Sequence, residues 1–427
     1  MTLLSLKNTL LFFLIVFVAC GSKTEETSDT ATVVSEKDRP IILAGANQTE
    51  AYLGDLKNKR VAVVANQTSG IRSKRFERIF ERVLPSGDSL FYARRAQTHL
   101  IDSLLSLNVD VVKVFSPEHG FRGRADAGEK VKDGLDKKTG LPILSLHGKN
   151  RKPTPEQLGD VDIIIFDIQD VGVRFYTYIS TMSLVMEAAA EAGIPVIVLD
   201  RPNPNGHYVD GPTMLNEHTG FLGMHPVPLV YGMTIGEYAT MVNGEGWLAG
   251  GISCDLKVVK SKHYKHKYSY SLPVRPSPNL PNDRAVTLYP SLGLLEGTNL
   301  NAGRGTEMQF QILGSPYLPA DKYSFAYTPQ SNFGSKYPKH QNTQCNGLNL
   351  QGKERMYQVD LQWLVQAYRD HSKKDKFFNT KNFTAHAGTP LLQKQIEQGL
   401  TADEIRASWQ PEIEAFKKIR AKYLLYE

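Results

Sequence analysis

The loop Ser116–Gly120 carries two side chains that can move protons, Glu118 and His119. Pro117 before them and Gly120 after them favour a tight turn, which would aim the carboxyl group in one direction. A carboxyl group aimed in this way can act as a general acid, and a histidine beside it can donate a proton or position the substrate. On the residues alone, a glutamate that serves only the turn remains the alternative.

A second group of polar residues surrounds the end of a strongly apolar run at Ile168. Asp167 lies inside that run, where a bare carboxylate is costly, so we expect it to form a structural ion pair. Asp170 follows as a candidate catalytic carboxylate, and Arg174 has the forked guanidinium that binds carboxylates through two hydrogen bonds. Tyr176 can stack on a sugar ring, although packing in the core is the alternative.

Stiff turns carry the remaining candidate binding residues. Asn203 and Asn205 belong to the turn Asp200–Gly206, where their amides can bind hydroxyl or amide groups or can serve the turn itself. Arg304 stands between two glycines, and we expect it to contact an anion. Two further stiff, polar segments, 276–281 and 296–304, contain Asn279 and Asn299. With Arg304, these residues are also candidates for substrate binding.

Alternating strands and helices are predicted to position these residues. Short apolar runs predict five strands, and helices are predicted at about Thr98–Leu107 and Thr181–Ala192, the second capped by Gly193. The predicted strands are Arg60–Ala65, Val109–Phe115, Pro142–Leu146, Val161–Ile168 and Pro195–Leu199. This alternation predicts an α/β fold with a Rossmann-like, doubly wound parallel sheet. Ligands of such sheets bind outside the carboxyl ends of the strands, so the polar loops should meet at one rim.

The pattern of elements changes near residue 232, which predicts two domains. We expect residues 41–231 to form the Rossmann-like catalytic domain and residues 232–427 to form a smaller, mixed α/β C-terminal domain that closes the cleft. Helices are predicted near the end of the chain, over Thr389–Gly399, Thr401–Arg406 and Trp409–Leu424.

The N-terminus predicts export and lipid attachment. Lys7 precedes the apolar run Leu10–Ala19, which is too short for a stable membrane span and is typical of a secretory signal. The run leads into Cys20-Gly21-Ser22, which resembles a bacterial lipobox, whose cysteine is acylated. We therefore expect a lipoprotein signal peptide over 1–20, a flexible tether over 21–40, and anchoring to an envelope membrane, at the periplasm or the cell surface, through Cys20.

Several functional classes lack their motifs in this sequence. There is no G-x-G-x-x-G after the first strand, no G-x-S-x-G, no H-E-x-x-H and no Walker A loop, so we expect no cofactor and no metal. Cys254 and Cys345 lack the spacing of metal ligands, and the sequence leaves open whether they pair. A net charge of +6 over 427 residues is too weak a bias to indicate nucleic-acid binding, and no feature sets the oligomeric state. A cleft with carboxylates, arginines and no cofactor is best suited to glycoside hydrolysis.

Five segments, in this order, resemble the exo-β-N-acetylmuramidases of glycoside hydrolase family 171. They are Ser-Pro-Glu-His-Gly-Phe-Arg-Gly (116–123), Asp-Ile-Gln-Asp-Val-Gly-Val-Arg-Phe-Tyr-Thr-Tyr (167–178), Asp-Arg-Pro-Asn-Pro-Asn-Gly (200–206), Pro-Ser-Pro-Asn-Leu-Pro (276–281) and Glu-Gly-Thr-Asn-Leu (296–300). The likeness runs from about Ile41 to the C-terminus. It implies a Rossmann-like domain, a smaller C-terminal domain and a cleft between them.

The resemblance also implies an activity, the release of N-acetylmuramic acid from the non-reducing end of peptidoglycan fragments, with Glu118 as the catalytic acid. The second catalytic group stays open among Asp170, Asp200, Glu296 and the substrate's own 2-acetamido group. The lactyl carboxylate of N-acetylmuramic acid calls for an arginine clamp, for which Arg174 and Arg304 are the candidates. Two alternatives stay open: a muropeptide-binding lipoprotein without turnover, and another peptidoglycan hydrolase such as an amidase.

Overall fold

Strands and helices alternate through most of the chain, which the computed structural model describes over residues 40–83, 89–118, 120–121 and 133–427. The predicted signal peptide, Cys20 and His119 lie outside these residues, as does the predicted tether up to residue 39. The strands of the described residues are β1 (Val61–Ala65), β2 (Gly70–Val83), β3 (Ser89–His99), β4 (Val111–Ser116), β5 (Gly134–Leu135), β6 (Pro142–Ser145), β7 (Ile163–Asp167), β8 (Val196–Leu199), β9 (Asp210–Thr213), β10 (Pro228–Val230), β11 (Leu256–Val259), β12 (Ile312–Ser315), β13 (Phe325–Tyr327) and β14 (Cys345–Asn349).

The helices of the same residues are α1 (Leu100–Ser106), α2 (Pro155–Leu158), α3 (Tyr178–Ala192), α4 (Ile235–Gly244), α5 (Asp283–Leu292), α6 (Gln362–Asp370), α7 (Thr380–Ala387), α8 (Leu391–Glu397), α9 (Ala402–Ser408) and α10 (Gln410–Arg420). The two helices predicted between the strands correspond to α1 and α3, and the three predicted near the C-terminus correspond to α8, α9 and α10. No helix in the described ranges is both long enough and apolar enough to cross a membrane.

A seven-stranded sheet is the largest sheet in the described part of the chain, with the strand order β11-β8-β7-β1-β4-β6-β5. Neighbouring strands are parallel except β5 and β6, which are antiparallel. The predicted α/β class and the doubly wound parallel sheet are therefore confirmed. Strand β11 also belongs to this sheet, where it pairs with β8. It follows the domain boundary predicted between residues 231 and 232, so one strand of the sheet lies beyond that boundary.

Strand β7 shows why the apolar runs fold into the middle of this sheet. Ile164 and Phe166 pack into one apolar cluster, whereas Ile163 and Ile165 pack into a second cluster. All four side chains are buried. Successive side chains of a strand point to opposite faces, so a strand covered on both faces has no solvent-facing position and becomes a continuous apolar run.

Local signals fix the ends of the helices that flank the sheet. Gly193, the predicted cap of α3, has a φ of 67°, a left-handed conformation that favours glycine. Helix α4 begins with a capping box, in which Thr234 and Glu237 each accept a hydrogen bond from the other's main-chain N–H. Asp200 completes this cap, because its carboxylate accepts from the Thr234 hydroxyl and from the Gly236 N–H at 2.7 and 2.8 Å.

A smaller antiparallel sheet, in the order β12-β14-β13, lies in the C-terminal part of the chain, which also contains α6–α10. The predicted mixed α/β character of this part is confirmed. Cys345 begins β14, and Cys254 precedes β11; both are buried free thiols.

The carboxyl ends of β7 and β8 carry a buried ion pair. Arg201 donates through Nε and Nη2 to the two carboxylate oxygens of Asp167, at 2.6 and 2.8 Å, and both residues are buried. The structural ion pair that the sequence predicts for Asp167 is therefore confirmed. Removing one partner would leave the other charge buried and uncompensated, at a typical cost of about 3–5 kcal/mol.

Candidate active site

A cavity of about 150 Å³ opens beyond the carboxyl ends of the sheet strands. Its walls come from the loops after β4 and β7, the start of α3, the segment between β9 and β10, α5 with the loops on either side of it, and α7. The lining residues are Glu118, Phe175, Tyr176, Thr177, Tyr178, Leu222, Ser277, Asn279, Leu280, Tyr289, Glu296, Arg304, Phe310 and His386. The predicted site residues Glu118, Tyr176, Asn279 and Arg304 therefore lie around one space.

Aromatic rings form much of the cavity wall. Tyr289 is the centre of the cluster, with ring centroids 5.1 Å from Phe175, 6.1 Å from Tyr176 and 4.8 Å from Phe310. Tyr178 packs edge-on against Tyr176 at 4.9 Å. The polar groups of the cavity therefore face flat apolar surfaces, a combination that suits a sugar ring, with its apolar faces and hydroxyl edge.

Glu118 reaches the cavity from the turn after β4. The Gly120 N–H donates to the Pro117 carbonyl at 3.1 Å, and the Gly120 φ of 74° explains the glycine at this position. The Tyr178 hydroxyl donates to the Glu118 carbonyl at 3.3 Å. Tyr178 is the first residue of α3, so the helix start and the glutamate are held together. The tight turn that the sequence predicts around Glu118 is present.

A second carboxylate on the cavity belongs to Glu296. Arg304 Nε donates to Glu296 Oε1 at 2.8 Å, and each side chain is about a quarter exposed, at 27% and 25%. Burial alone would raise the pKa of Glu296, but the charges of Arg304 and Lys339, with His386, hold that pKa below its ordinary value. Glu296 is therefore ionised at neutral pH.

His386 presents its ring to the cavity from α7. Its Nδ1 lies 2.8 Å from the Asn382 carbonyl, which can only accept a hydrogen bond. Burial lowers the pKa of His386, so the ring is neutral at pH 7 and carries its hydrogen on Nδ1. Its Nε2 is then an acceptor for a substrate hydroxyl or N–H group.

Asn279 lies at the cavity wall between two prolines. Its amide nitrogen donates to the Gly334 carbonyl at 2.6 Å, and it is only 2% exposed. Its Oδ1 is buried without a hydrogen-bond partner among the described residues. A buried acceptor without a partner is costly, so a donor from a bound molecule would satisfy it.

Asp170, a predicted catalytic residue, does not line the cavity. It is 2% exposed, and its Oδ2 accepts hydrogen bonds from the Tyr231 hydroxyl and from the Gly172 N–H, the latter at 2.8 Å. Burial raises the pKa of Asp170 to about 6, against the opposing effect of these donors. Asp170 therefore lies behind the cavity wall and orders the loop that follows β7.

Arg174, a predicted clamp for a substrate carboxylate, is also buried away from the cavity. It donates through Nη1 to the Pro212 and Val227 carbonyls at 2.7 and 2.8 Å, and through Nη2 to the His386 carbonyl at 3.0 Å. Burial lowers the pKa of Arg174 to about 9. Arg174 therefore joins the loop after β7 to the end of α7, and its contacts are with main chain.

The three remaining predicted binding residues make structural contacts. Asn203 donates to the Met233 carbonyl at 2.8 Å, and Asn205 donates to the Val171 and Val286 carbonyls at 2.9 and 3.1 Å. Asn299 accepts from the Ser315 hydroxyl at 2.9 Å and lies 3.1 Å from His371 Nε2. None of the three appears among the described residues that line the cavity.

Other lining residues have no local sequence pattern that marks them as site residues. Tyr289 lies inside α5 and Phe310 in a loop, and an aromatic residue there is indistinguishable from a core residue. His386 lies within α7, and only the packing of that helix brings its ring to the cavity. Among the described residues, no cluster of His, Cys, Asp and Glu has the arrangement of a metal site.

Comparisons with known proteins agree along nearly the whole chain. Family models described as the N-terminal and C-terminal parts of exo-beta-N-acetylmuramidase NamZ match residues 61–284 and 287–426. The peptidoglycan beta-N-acetylmuramidase NamZ of Bacillus subtilis is 35% identical over 440 residues, which cover 99% of this chain and 100% of that protein.

Two solved structures are also similar to this chain. Both are DUF1343 family proteins from Bacteroides fragilis, with TM-scores of 0.78 and 0.72 at 42% and 28% sequence identity. They cover 91% and 90% of this chain, and the match spans 99% of each of those proteins.

The buried carboxyl group of Asp170 predicts a specific pH dependence of stability. Its pKa rises from 3.8 to about 6 on folding, so the native state binds the proton more tightly than the unfolded chain. The stability that this proton contributes is complete below pH 4 and is lost as the pH rises to about 6. Relative to Asp170→Asn, the wild-type protein should lose about 3 kcal/mol of unfolding free energy across that interval.

Urea unfolding of both proteins at pH 4, 5, 6 and 7.5 measures this difference. Asp200, whose buried carboxyl group also has a pKa raised to about 6, is present in both proteins, so its contribution cancels. A free-energy difference between the two proteins that stays constant from pH 4 to 7.5 would contradict the assignment.

Proposed function

Because this chain belongs to the exo-β-N-acetylmuramidase NamZ family, we propose that it is an exo-acting glycoside hydrolase of peptidoglycan. It releases N-acetylmuramic acid from the non-reducing end of peptidoglycan fragments during cell-wall turnover. The observation that carries this proposal is the small cavity in which Glu118, the Glu296–Arg304 pair and an aromatic wall meet. A small cavity suits the terminal sugar of a chain better than an internal one.

Glu118 is the proton donor in the proposed reaction. Its carboxyl group protonates the glycosidic oxygen as the bond from that oxygen to the anomeric carbon breaks. Water then supplies the new anomeric hydroxyl, and the proton that this water releases restores the Glu118 carboxyl group. Glu296 is the carboxylate suited to stabilise the positive charge that develops at the anomeric carbon. Of the three acidic candidates for this role, Glu296 lies on the cavity, whereas Asp170 and Asp200 are fully buried in contacts with protein donors.

Arg304 is the residue that we assign to the lactyl carboxylate of the sugar. Its Nε is engaged by Glu296, and its Nη1 and Nη2 make no hydrogen bond within the described part of the chain. The guanidinium also lies over the Phe310 ring, 5.6 Å from the centroid, which fixes its plane. Arg174, the other candidate, has no comparable access, because its guanidinium is buried against main-chain carbonyls.

Export and lipid anchoring complete the proposal. They rest on the apolar run Leu10–Ala19 and on the lipobox-like Cys20-Gly21-Ser22, which lie outside the described residues. An enzyme tethered to an envelope membrane through acylated Cys20 would act where peptidoglycan fragments are released.

Replacement of Glu118 by glutamine should abolish most of the activity. Loss of a general acid typically lowers the rate by roughly 10²–10⁴-fold, so we expect a fall of that size in kcat on a chromogenic N-acetylmuramide. Glu156→Gln is the matched control, because Glu156 lies exposed on α2, away from the cavity. Near-native turnover by a folded Glu118→Gln variant would refute the assignment.

Mass spectrometry of muropeptide digests separates the alternatives in the same preparation. The proposed enzyme removes one sugar, an amidase removes the peptide, and a binding protein leaves the substrate intact for hours.

Replacement of Arg304 by glutamine should reduce the preference for muramic acid. N-acetylmuramic acid and N-acetylglucosamine differ by the lactyl group, so the ratio of their inhibition constants isolates the contact with that carboxylate. A lost charge-assisted hydrogen bond of about 1.5–3 kcal/mol corresponds to a change of roughly 10–100-fold in this ratio. An unchanged ratio would show that Arg304 does not bind the lactyl group, whatever happens to kcat.

Replacement of Cys20 by alanine should prevent lipid attachment. Expression in a bacterial host with radiolabelled palmitate should label the wild-type protein and the Cys254→Ala control, because Cys254 is a buried thiol. We expect the Cys20→Ala variant to carry no label and to leave the membrane fraction. Equal labelling of the three proteins would disprove anchoring through Cys20.

A further inference from the structure

Lys339 places its ammonium group among four main-chain carbonyls. Its Nζ donates to the carbonyls of Leu295 and Thr298 at 2.8 Å, of Glu296 at 3.1 Å and of Leu300 at 3.2 Å. An ammonium group has three N–H bonds, so the four acceptors share them. This arrangement resembles the carbonyl cage of a bound monovalent cation, with the charge supplied by the protein itself.

The four carbonyls belong to one short segment, which carries Glu296. Four carbonyl dipoles that converge on one point create a negative potential there, and a buried carbonyl without a donor is costly. The positive charge of Lys339, with its three N–H groups, therefore stabilises this shape of the segment. An uncharged side chain of the same length would leave the Thr298 and Leu300 carbonyls without a donor among the described residues. The Leu295 and Glu296 carbonyls would keep their second donors, Thr298 at 2.9 Å and Asn382 at 3.0 Å, but would lose the charge that they face.

Neighbouring residues fasten the same segment from the same loop. His340 Nε2 lies 2.6 Å from the Asn299 carbonyl, and the Asn301 amide donates to the Lys339 carbonyl at 2.9 Å. The residue pair 339–340 thus binds the carbonyls of five of the six residues from Leu295 to Leu300. Lys339 is the one of the two that contacts the carbonyl of Glu296 itself.

The charge of Lys339 also acts on the Glu296 carboxylate. The groups that face this carboxylate are Arg304 from the loop after it, Lys339, His386 from α7 and Tyr289 from α5. Arg304 contributes most to lowering the pKa of Glu296, and Lys339 is the next contributor. Burial lowers the pKa of Lys339 itself, while the charge of Glu296 opposes that change.

We propose that Lys339 is the positioning residue that holds Glu296 against the cavity, acting as a built-in cation inside a ring of main-chain carbonyls. This inference rests on the proposed hydrolase function, because it gives Glu296 its role in stabilising charge at the anomeric carbon. Lys339 touches neither the substrate nor the reacting atoms; it acts through the segment Leu295–Leu300.

The test compares Lys339→Met, Lys339→Arg and Lys339→Ala with the wild-type enzyme on a chromogenic N-acetylmuramide. A misplacement of about 1 Å in a catalytic group can lower a rate by roughly 10²-fold, so we expect a loss of that order in kcat for Lys339→Met, with a smaller change in KM. The acid limb of its kcat/KM profile should move to higher pH, because Glu296 loses a favourable charge. Lys339→Arg keeps the charge and should recover part of kcat with the acid limb in its original place.

Chemical rescue separates the effect of the positive charge of Lys339 from the effect of the shape of its side chain. In Lys339→Ala, n-propylammonium supplies the missing Cγ, Cδ, Cε and Nζ, and it should raise kcat, whereas n-propanol of similar size should not. Lys336→Met is the matched control, since Lys336 is an exposed lysine of the same loop whose loss should leave kcat and the pH profile unchanged.

Two results would overturn the inference while the proposed function stands. One is an active wild-type enzyme with unchanged kcat and pH profile in folded Lys339→Met. The other is a rescue of Lys339→Ala in which propanol restores kcat as well as propylammonium does. If Lys339→Met does not fold, this rescue measurement decides whether the inference stands. A wild-type protein that leaves muramides intact would instead refute the proposed function.

Discussion

The burial of polar loops at the carboxyl edge of the parallel sheet is the constraint on which the rest of the structure depends. A loop buried there must satisfy every donor and acceptor with protein partners, because water is excluded. The Asp167–Arg201 pair satisfies two charges at the ends of β7 and β8. Asp200 caps α4, and Asn203 donates to the Met233 carbonyl. The loops that leave the sheet are therefore held in one conformation before any ligand arrives.

The same requirement joins the sheet to the elements that close the cavity. Tyr176 donates to the Pro276 carbonyl, Asn205 to the Val286 carbonyl and Arg174 to the His386 carbonyl. These three hydrogen bonds join residues that are 100, 81 and 212 positions apart in the sequence, and each is buried or partly buried. They tie the loop before α5, α5 itself and α7 to the loops after β7 and β8. Side chains that the sequence suggests for substrate binding therefore hold the walls of the cavity together.

Within the pocket, the electrostatic environment differs from one polar group to the next. The charges of Arg304 and Lys339 keep the pKa of Glu296 low against the effect of burial, and burial lowers the pKa of His386. Glu118 lies on the turn after β4, far from Glu296 in the sequence, and is held beside the start of α3. A carboxylate held ionised and a separate carboxyl group on a fixed turn are the components that a glycoside hydrolase needs. The aromatic wall supplies apolar contact area beside these polar groups.

The sequence by itself determined five strands of the seven-stranded sheet, the helices α1 and α3, the structural pairing of Asp167 and the position of Glu118 at a strand end. These follow from local patterns: apolar runs, caps and turns act over a few residues. Only the tertiary structure decided that Asp170, Arg174, Asn203, Asn205 and Asn299 face protein partners, and that Tyr289, Phe310 and His386 line the cavity. A polar side chain in a loop bonds to whichever donor or acceptor packing brings within about 3 Å, and those partners lie far away in sequence. Residue type shows what a side chain can bind, whereas the packing of distant segments decides what it does bind.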